Sequence, residues 1–285
     1  MRLALGTVQF GLAYGVAGRG DAVPEAEARA ILARAHALGI RTLDTASAYG
    51  NIEEHLADLC DDLDFDIVSK IPPLPQNIAP AEAAHWTLEQ AERSRMRLGQ
   101  RLRHLMLHRA DDLLKPGGSI LWSALAEWSA STNVGIGASC YEPSTVISLK
   151  ALPKFGIAQI PGNALDQRIG REWSAPPACE VHLRSAFLQG LLLMPQAAAA
   201  RLVPAATDAL AAWHRWCRQQ DLEPLIAALS IVKSFAAVSV CVVGVDRIEH
   251  LEQTVVAWHR ASAVAAPQLH CENPAVIDPR RWSTA

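Results

Sequence analysis

Three short apolar runs in the first part of the chain each end in an ionisable side chain. Ile40 to Leu43 leads into Asp44, with Tyr49 following in Asp44-Thr45-Ala46-Ser47-Ala48-Tyr49-Gly50. Phe65 to Ser69 delivers Lys70, and Leu105 to Leu107 delivers His108. A carboxylate, a phenol, an ammonium and an imidazole are the parts of a proton-donating site. A free phenol, with a pKa near ~10, is a poor acid at neutral pH. An ammonium beside it stabilises the phenolate and lowers that value, and a carboxylate paired to the ammonium keeps it charged and in place. An imidazole next to the phenol can hydrogen-bond a substrate oxygen and hold it. Such a set polarises a carbonyl and protonates the alkoxide that forms on it. It supplies no electrons, so the rest of the chain has to hold a hydride donor. Singly, each residue has a plainer use: Asp44 as a helix N-cap, Tyr49 as a surface aromatic, Lys70 as a solvated charge, His108 as a satisfied polar group. Their occurrence together at successive strand ends favours catalysis.

Strand ends that open into loops are where α/β barrels keep their chemistry. Along the chain, short apolar runs alternate with longer helical patterns, which argues for βα units around a parallel sheet. Helices are predicted over Pro24 to Leu38, Asn51 to Asp61, Pro80 to Leu98, Ser119 to Ser131, Pro143 to Leu149, Ala205 to Gln220, Leu225 to Phe235 and Arg247 to Arg260. Strands are predicted over Ile40 to Asp44, Phe65 to Lys70, Leu105 to His108, Val134 to Ala138, Ile157 to Ile160, Val181 to Arg184 and Val238 to Val243. That is one strand short of the eight a barrel needs; Leu191 to Met194 and the stretch near Leu222 are the candidates for the missing one. No internal repeat or linker divides the chain, so residues 1–285 read as one barrel domain with an irregular tail from Pro267.

The bulk properties exclude several function classes. A formal net charge of -3 over 285 residues offers nothing to attract nucleic acid or anionic lipid. The cysteines at 60, 140, 179, 217, 241 and 271 show no C-x-x-C spacing, which fits reduced thiols in a cytoplasmic enzyme better than disulfides or a metal site. The N-terminus lacks a signal peptide's apolar core, and no run approaches the ~18 apolar residues of a membrane span. The expected partner is a small carbonyl compound, with the protein a monomer or weak homo-oligomer.

The chain resembles an aldo-keto reductase. The matching motifs are Leu5-Gly6-Thr7, the Asp44 to Gly50 segment with Glu53, Ser69-Lys70 and Leu107-His108. Later come Gly135 to Ser139, Gln159 with Asn163, Phe187 to Leu192, and Val242-Val243-Gly244-Val245. They follow the family's order over nearly the whole chain. The resemblance implies a (β/α)8 TIM barrel with a short N-terminal β-hairpin cap over Arg2 to Val16. It implies NAD(P)H-dependent interconversion of an aldehyde or ketone and its alcohol, with Tyr49 as general acid. Asp44 and Lys70 then tune Tyr49, and His108 orients the substrate carbonyl. The cofactor residues it implies are Thr7, Asp44, Ser139, Gln159, Ser185, Leu188, Gly190, Gly244, Val245 and Asp246. Ser139 and Gln159 fall to the nicotinamide carboxamide, Ser185 to Gly190 to the pyrophosphate, and Gly244 and Val245 to the phosphate end of the adenosine.

Three positions depart from the family pattern. Cys140 replaces an asparagine, Arg184 replaces the aromatic residue that stacks on the nicotinamide, and Asp246 stands where a lysine or arginine is usual. A carboxylate at 246 repels a 2′-phosphate and can accept from a ribose diol, which leaves NADP versus NAD open. The rival reading is a nucleotide-binding sensor or regulatory protein on the same fold, with weak or no turnover. A cofactor-independent lyase using Lys70 as a Schiff base leaves the nucleotide motifs without a purpose.

Overall fold

The computed structural model describes residues 1–60, 62–173 and 177–282. Its centre is a closed barrel of eight parallel strands in sequence order. The strands are β1 (Arg2–Gly6), β2 (Thr42–Asp44), β3 (Asp66–Ile71), β4 (Leu102–Leu107), β5 (Gly135–Ser139), β6 (Phe155–Pro161), β7 (Glu180–Arg184) and β8 (Val240–Gly244). The barrel closes between β1 and β8, with Arg2 opposite Val240 and Gly6 opposite Gly244.

This closure corrects the expected N-terminal hairpin. Arg2–Gly6 is the eighth barrel strand, and after Thr7 the chain makes a helical turn, α1 (Val8–Gly11), rather than a return strand. The strand is paired on both edges, with β2 and β8, and buried after Arg2, which leaves no edge for a hairpin partner. Leu191–Leu193 is a 3-10 turn, and Leu222 lies in a connection between helices.

Helices α2 (Glu25–Ala37), α3 (Ile52–Cys60), α4 (Pro80–Leu98) and α5 (Gly118–Thr132) flank the first half of the barrel. Helices α6 (Pro143–Leu149), α7 (Arg168–Glu172), α8 (Gln196–Leu202), α9 (Thr207–Gln219), α10 (Pro224–Lys233), α11 (Ile248–Arg260) and α12 (Pro274–Ile277) follow. Their inward stripes have helical spacing; α2 buries Ala28, Ile31, Leu32 and Ala35. α4 begins with a proline, whose missing N–H costs nothing there, and ends at Gly99 with φ of 56°. Val68, Met106 and Ile157 form one small cluster of buried residues, and Ala4, Val240 and Val242 another. The tail folds back as short helical turns, ending at Pro279–Arg281 against the barrel mouth.

Trp213 and Trp216 stack at 5.9 Å as packing groups, with Trp213 Nε1 donating to the Leu192 carbonyl. Among the described residues no helix is long and apolar enough to cross a membrane, and no three His, Cys, Asp or Glu gather as a metal site.

Candidate active site

β2, β3 and β4 are neighbours, so the barrel brings their C-terminal ends together. Asp44 is the last residue of β2, Lys70 the penultimate residue of β3, and His108 follows β4. Lys70 is 1% exposed, and its Nζ donates to Asp44 Oδ1 at 2.7 Å and to the Thr45 carbonyl at 2.9 Å. The other oxygen of Asp44 accepts from Gln159 Nε2 on β6 at 2.6 Å. Asp44 is thus a bridge across the barrel mouth, satisfied by a cation on one side and an amide on the other. Burial draws the Lys70 ammonium below its ordinary value, and the Asp44 carboxylate opposes that shift.

Tyr49 sits on the loop after β2, fixed by an unusual approach of two backbones. A Cβ placed on Gly11 would lie 1.9 Å from the Tyr49 carbonyl oxygen, and Gly50 takes the left-handed region at φ of 64°. The Tyr49 ring meets the His108 ring edge-on at 5.9 Å. Lys70 Nζ lies 5.5 Å from the Tyr49 ring centre, and its hydrogen bonds go to Asp44 and Thr45. The phenol is therefore not lowered as the sequence suggested. Burial first, and Asp44 second, push it well above the usual tyrosine value. At neutral pH Tyr49 is a protonated donor, the state an acid catalyst starts from.

His108 is drawn down to about 4 by burial, and further disfavoured as a cation by Lys70 and Arg184. Its Nδ1 is buried without a hydrogen-bond partner among the described residues. A histidine whose folded pKa lies below its unfolded value makes its full contribution to stability above pH ~6.5. That contribution is lost as the pH falls from there towards about 4, because the unfolded chain binds the proton first. His108→Gln should therefore lose less stability than the parent between pH 7.5 and 4.5, by up to about 3 kcal/mol. Urea midpoints at several pH values measure the difference; parallel curves for the two proteins would remove the argument.

A long cleft leads away from this cluster. Thr7, Asp44, Tyr49, Gln159, Ser185, Gly190, Gly244, Val245 and Asp246 all line it. Lys70, His108, Ser139 and Leu188 do not: Ser139 is buried in register with Gln159, and Leu188 is wholly buried in the hydrophobic core. Phe187, from the Phe187 to Leu192 motif, lines it too, as do Gln9 and Tyr14, which the motifs did not include. Trp86, Trp122 and Trp173 do not line it; Trp122 packs on Phe155, and Trp173 Nε1 donates to the Pro143 carbonyl.

The wall after β7 has a strained backbone. Ser185, Leu188, Gln189 and Gly190 all have positive φ, at 64°, 49°, 54° and 87°. Such conformations cost free energy in non-glycine residues and persist where the surroundings enforce them. Asn163 helps enforce it, its Nδ2 donating to the Ser185 carbonyl at 3.2 Å. On the wall after β8, Asp246 Oδ1 lies 2.7 Å from His250 Nδ1, with only 11% of the aspartate side chain exposed. Arg19 is spent on Glu27 and Asp21, and Arg247 is exposed. Cys140, buried to 1% exposure, lies off the cleft with its thiol pushed up to about 12 by burial. Glu53 lies behind the site: it accepts from Ser69 Oγ and pairs with Arg97, tying α3 to β3 and α4.

Comparison with known proteins converges on one family. The aldo/keto reductase family model matches residues 2–264. A putative aldo-keto reductase from Pseudomonas aeruginosa is 25% identical, with a TM-score of 0.65 over 90% of this chain and 89% of that one. The holo form of an aldo-keto reductase from Bacillus halodurans has a TM-score of 0.67 at 18% identity, covering 94% of each chain. A glycerol dehydrogenase from Gluconobacter oxydans reaches 0.68 at 17% identity, over 93% of this chain and 88% of that one. No curated protein sequence matches.

Proposed function

The chain belongs to the aldo/keto reductase family, and from that premise we propose that it is an NAD(P)H-dependent enzyme interconverting an aldehyde or ketone and the corresponding alcohol. The observation that carries this is the Tyr49 phenol lining the cleft together with Asp44, whose carboxylate pairs with the buried Lys70.

The residues along the cleft fit a dinucleotide. Gln159 lies beside the catalytic cluster, the left-handed turn from Ser185 to Gly190 walls the middle, and Gly244 to Asp246 close the far end before α11. A helix N-terminus and close-approaching backbone suit phosphate groups. When bound, the nicotinamide supplies the hydride. The chain's own work is to orient and protonate. His108, neutral at neutral pH, can donate one ring N–H to the carbonyl oxygen. Tyr49 gives its proton to that oxygen as charge develops. The Asp44–Lys70 pair keeps the strand ends beneath the phenol rigid through the Thr45 carbonyl.

The test is oxidation of reduced cofactor, followed by absorbance, across a panel of aldehydes and ketones. Nucleotide binding without turnover on any of them would favour a sensor instead. Cofactor choice follows from Asp246, whose carboxylate lines the cleft where a 2′-phosphate would need a cation. NADH is expected to support kcat/KM within about tenfold of NADPH, and Asp246→Lys to raise the NADPH preference about tenfold or more. A preference for NADPH above about a hundredfold in the unaltered protein contradicts this. A reducing, cytoplasmic setting fits the six unpaired cysteines.

A further inference from the structure

Arg184 ends β7 and stands between two cavities. It walls the cleft that holds Tyr49, and also a second cavity that Tyr141, Arg168 and the C-terminal segment enclose. Its guanidinium lies 4.4 Å from the centre of the Tyr141 ring, and that of Arg280 lies 3.3 Å from the same centre.

Two of the neighbouring cations are spent. Arg168 pairs with Asp166 and Glu142, and Arg280 forms a two-point contact with Asp278. Arg184 differs: among the described residues it pairs with no carboxylate, and its one hydrogen bond is a long contact to Ser185 Oγ at 3.5 Å. Within the site, Asp44 and Lys70 cancel and His108 is neutral at pH 7. Arg184 is thus an uncompensated charge on the cleft wall among the described residues. Its field reaches the catalytic groups, favouring ionised Tyr49 and disfavouring cationic Lys70 and His108. Arg184 and Tyr49 line the same cleft. A half-buried guanidinium without a partner is costly, and an anionic ligand recovers the cost. Its planar fork matches a carboxylate at two points. Stacked on Tyr141, it is held in place before the ligand arrives.

We propose that Arg184 anchors a carboxylate on the substrate, so that the protein acts on oxo acids and carboxylated aldehydes in preference to neutral carbonyl compounds. This rests on the carbonyl-reducing reading above. The competing anion is the cofactor's diphosphate, since Arg184 adjoins the Ser185 turn.

The experiment compares benzaldehyde with its 2-, 3- and 4-carboxy derivatives for the unaltered protein, Arg184→Met and Arg184→Lys. At least one carboxylated isomer should be preferred about 10- to 100-fold in kcat/KM by the unaltered protein. That ratio should fall to about threefold or less in Arg184→Met and to an intermediate value in Arg184→Lys, which keeps the charge and loses the fork. Cofactor affinity, read by quenching of protein fluorescence, should move by less than about threefold. No preference in the unaltered protein, a preference that survives in Arg184→Met, or cofactor binding weakened about tenfold each overturns the proposal. Calorimetric binding of benzoate against benzamide needs no turnover. Benzoate should bind about tenfold more weakly to Arg184→Met, with benzamide unaffected. If no aldehyde is reduced with either cofactor while benzoate still requires Arg184, the carbonyl-reducing reading fails and the anion site stands.

Discussion

Tyr49→Phe is expected to lower kcat/KM for aldehyde reduction about 10³-fold while leaving cofactor binding and stability near their original values. The ring stays, so its edge-on contact with His108 and its packing on the core are kept. No described side chain hydrogen-bonds its hydroxyl, so stability should change by less than about 0.5 kcal/mol. What disappears is the phenol proton beside His108: His108 itself is a neutral imidazole at neutral pH, and Lys70 is turned towards Asp44 and Thr45. The pH dependence follows from the same environment. Because burial and Asp44 hold the phenol above the usual tyrosine range, reduction by the unaltered protein should decline only in strong alkali, as Tyr49 ionises. Tyr49→Phe should lack that alkaline limb. Turnover within about tenfold of the unaltered protein would show that another group, or water, supplies the proton.

How much of this was legible in the sequence depended on how local each signal is. Two helices opened by proline, Pro80–Leu98 and Pro143–Leu149, match their predicted bounds, because the cap and the apolar stripe sit within a few residues of each other, whereas Pro224–Lys233 was read as Leu225 to Phe235. Asp44, Lys70 and His108 were legible because each closes an apolar run that the barrel must bury. β1 was placed in a hairpin cap and not in the barrel, because its pairing with β8 joins the two ends of the chain and no local pattern reports it. The finer geometry of the site arises between distant segments and leaves no trace in spacing. Gln159 gives its amide to Asp44 across 115 residues, and Gly11, after the neighbouring strand β1, presses its backbone on Tyr49. The direction of the Tyr49 shift was likewise beyond reach. It turns on whether Lys70 aims at the hydroxyl or at Asp44, and the two arrangements share one sequence.

The buried ion pair should separate stability from chemistry. Lys70→Met leaves Asp44, its side chain 7% exposed, with Gln159 alone. A buried carboxylate stripped of its cation costs about 3–5 kcal/mol, which for a chain of this size lowers the melting temperature by about 10 °C. Adding Asp44→Asn removes the stranded charge while keeping a polar group within reach of Gln159. The double variant should recover most of the lost stability, because replacing both members of a buried pair costs far less than removing one. Activity should not return with it. Lys70 Nζ also holds the Thr45 carbonyl, so both variants release the first turn of the loop that carries Tyr49. A misplacement of about 1 Å there costs about 10²-fold in rate. Urea midpoints and kcat on the three proteins check this directly. If the double variant regained turnover along with stability, the pair would be a packing device and Tyr49 would keep its position without it. If it stayed as unstable as Lys70→Met, the destabilisation would come from the Thr45 contact and not from the charge on Asp44.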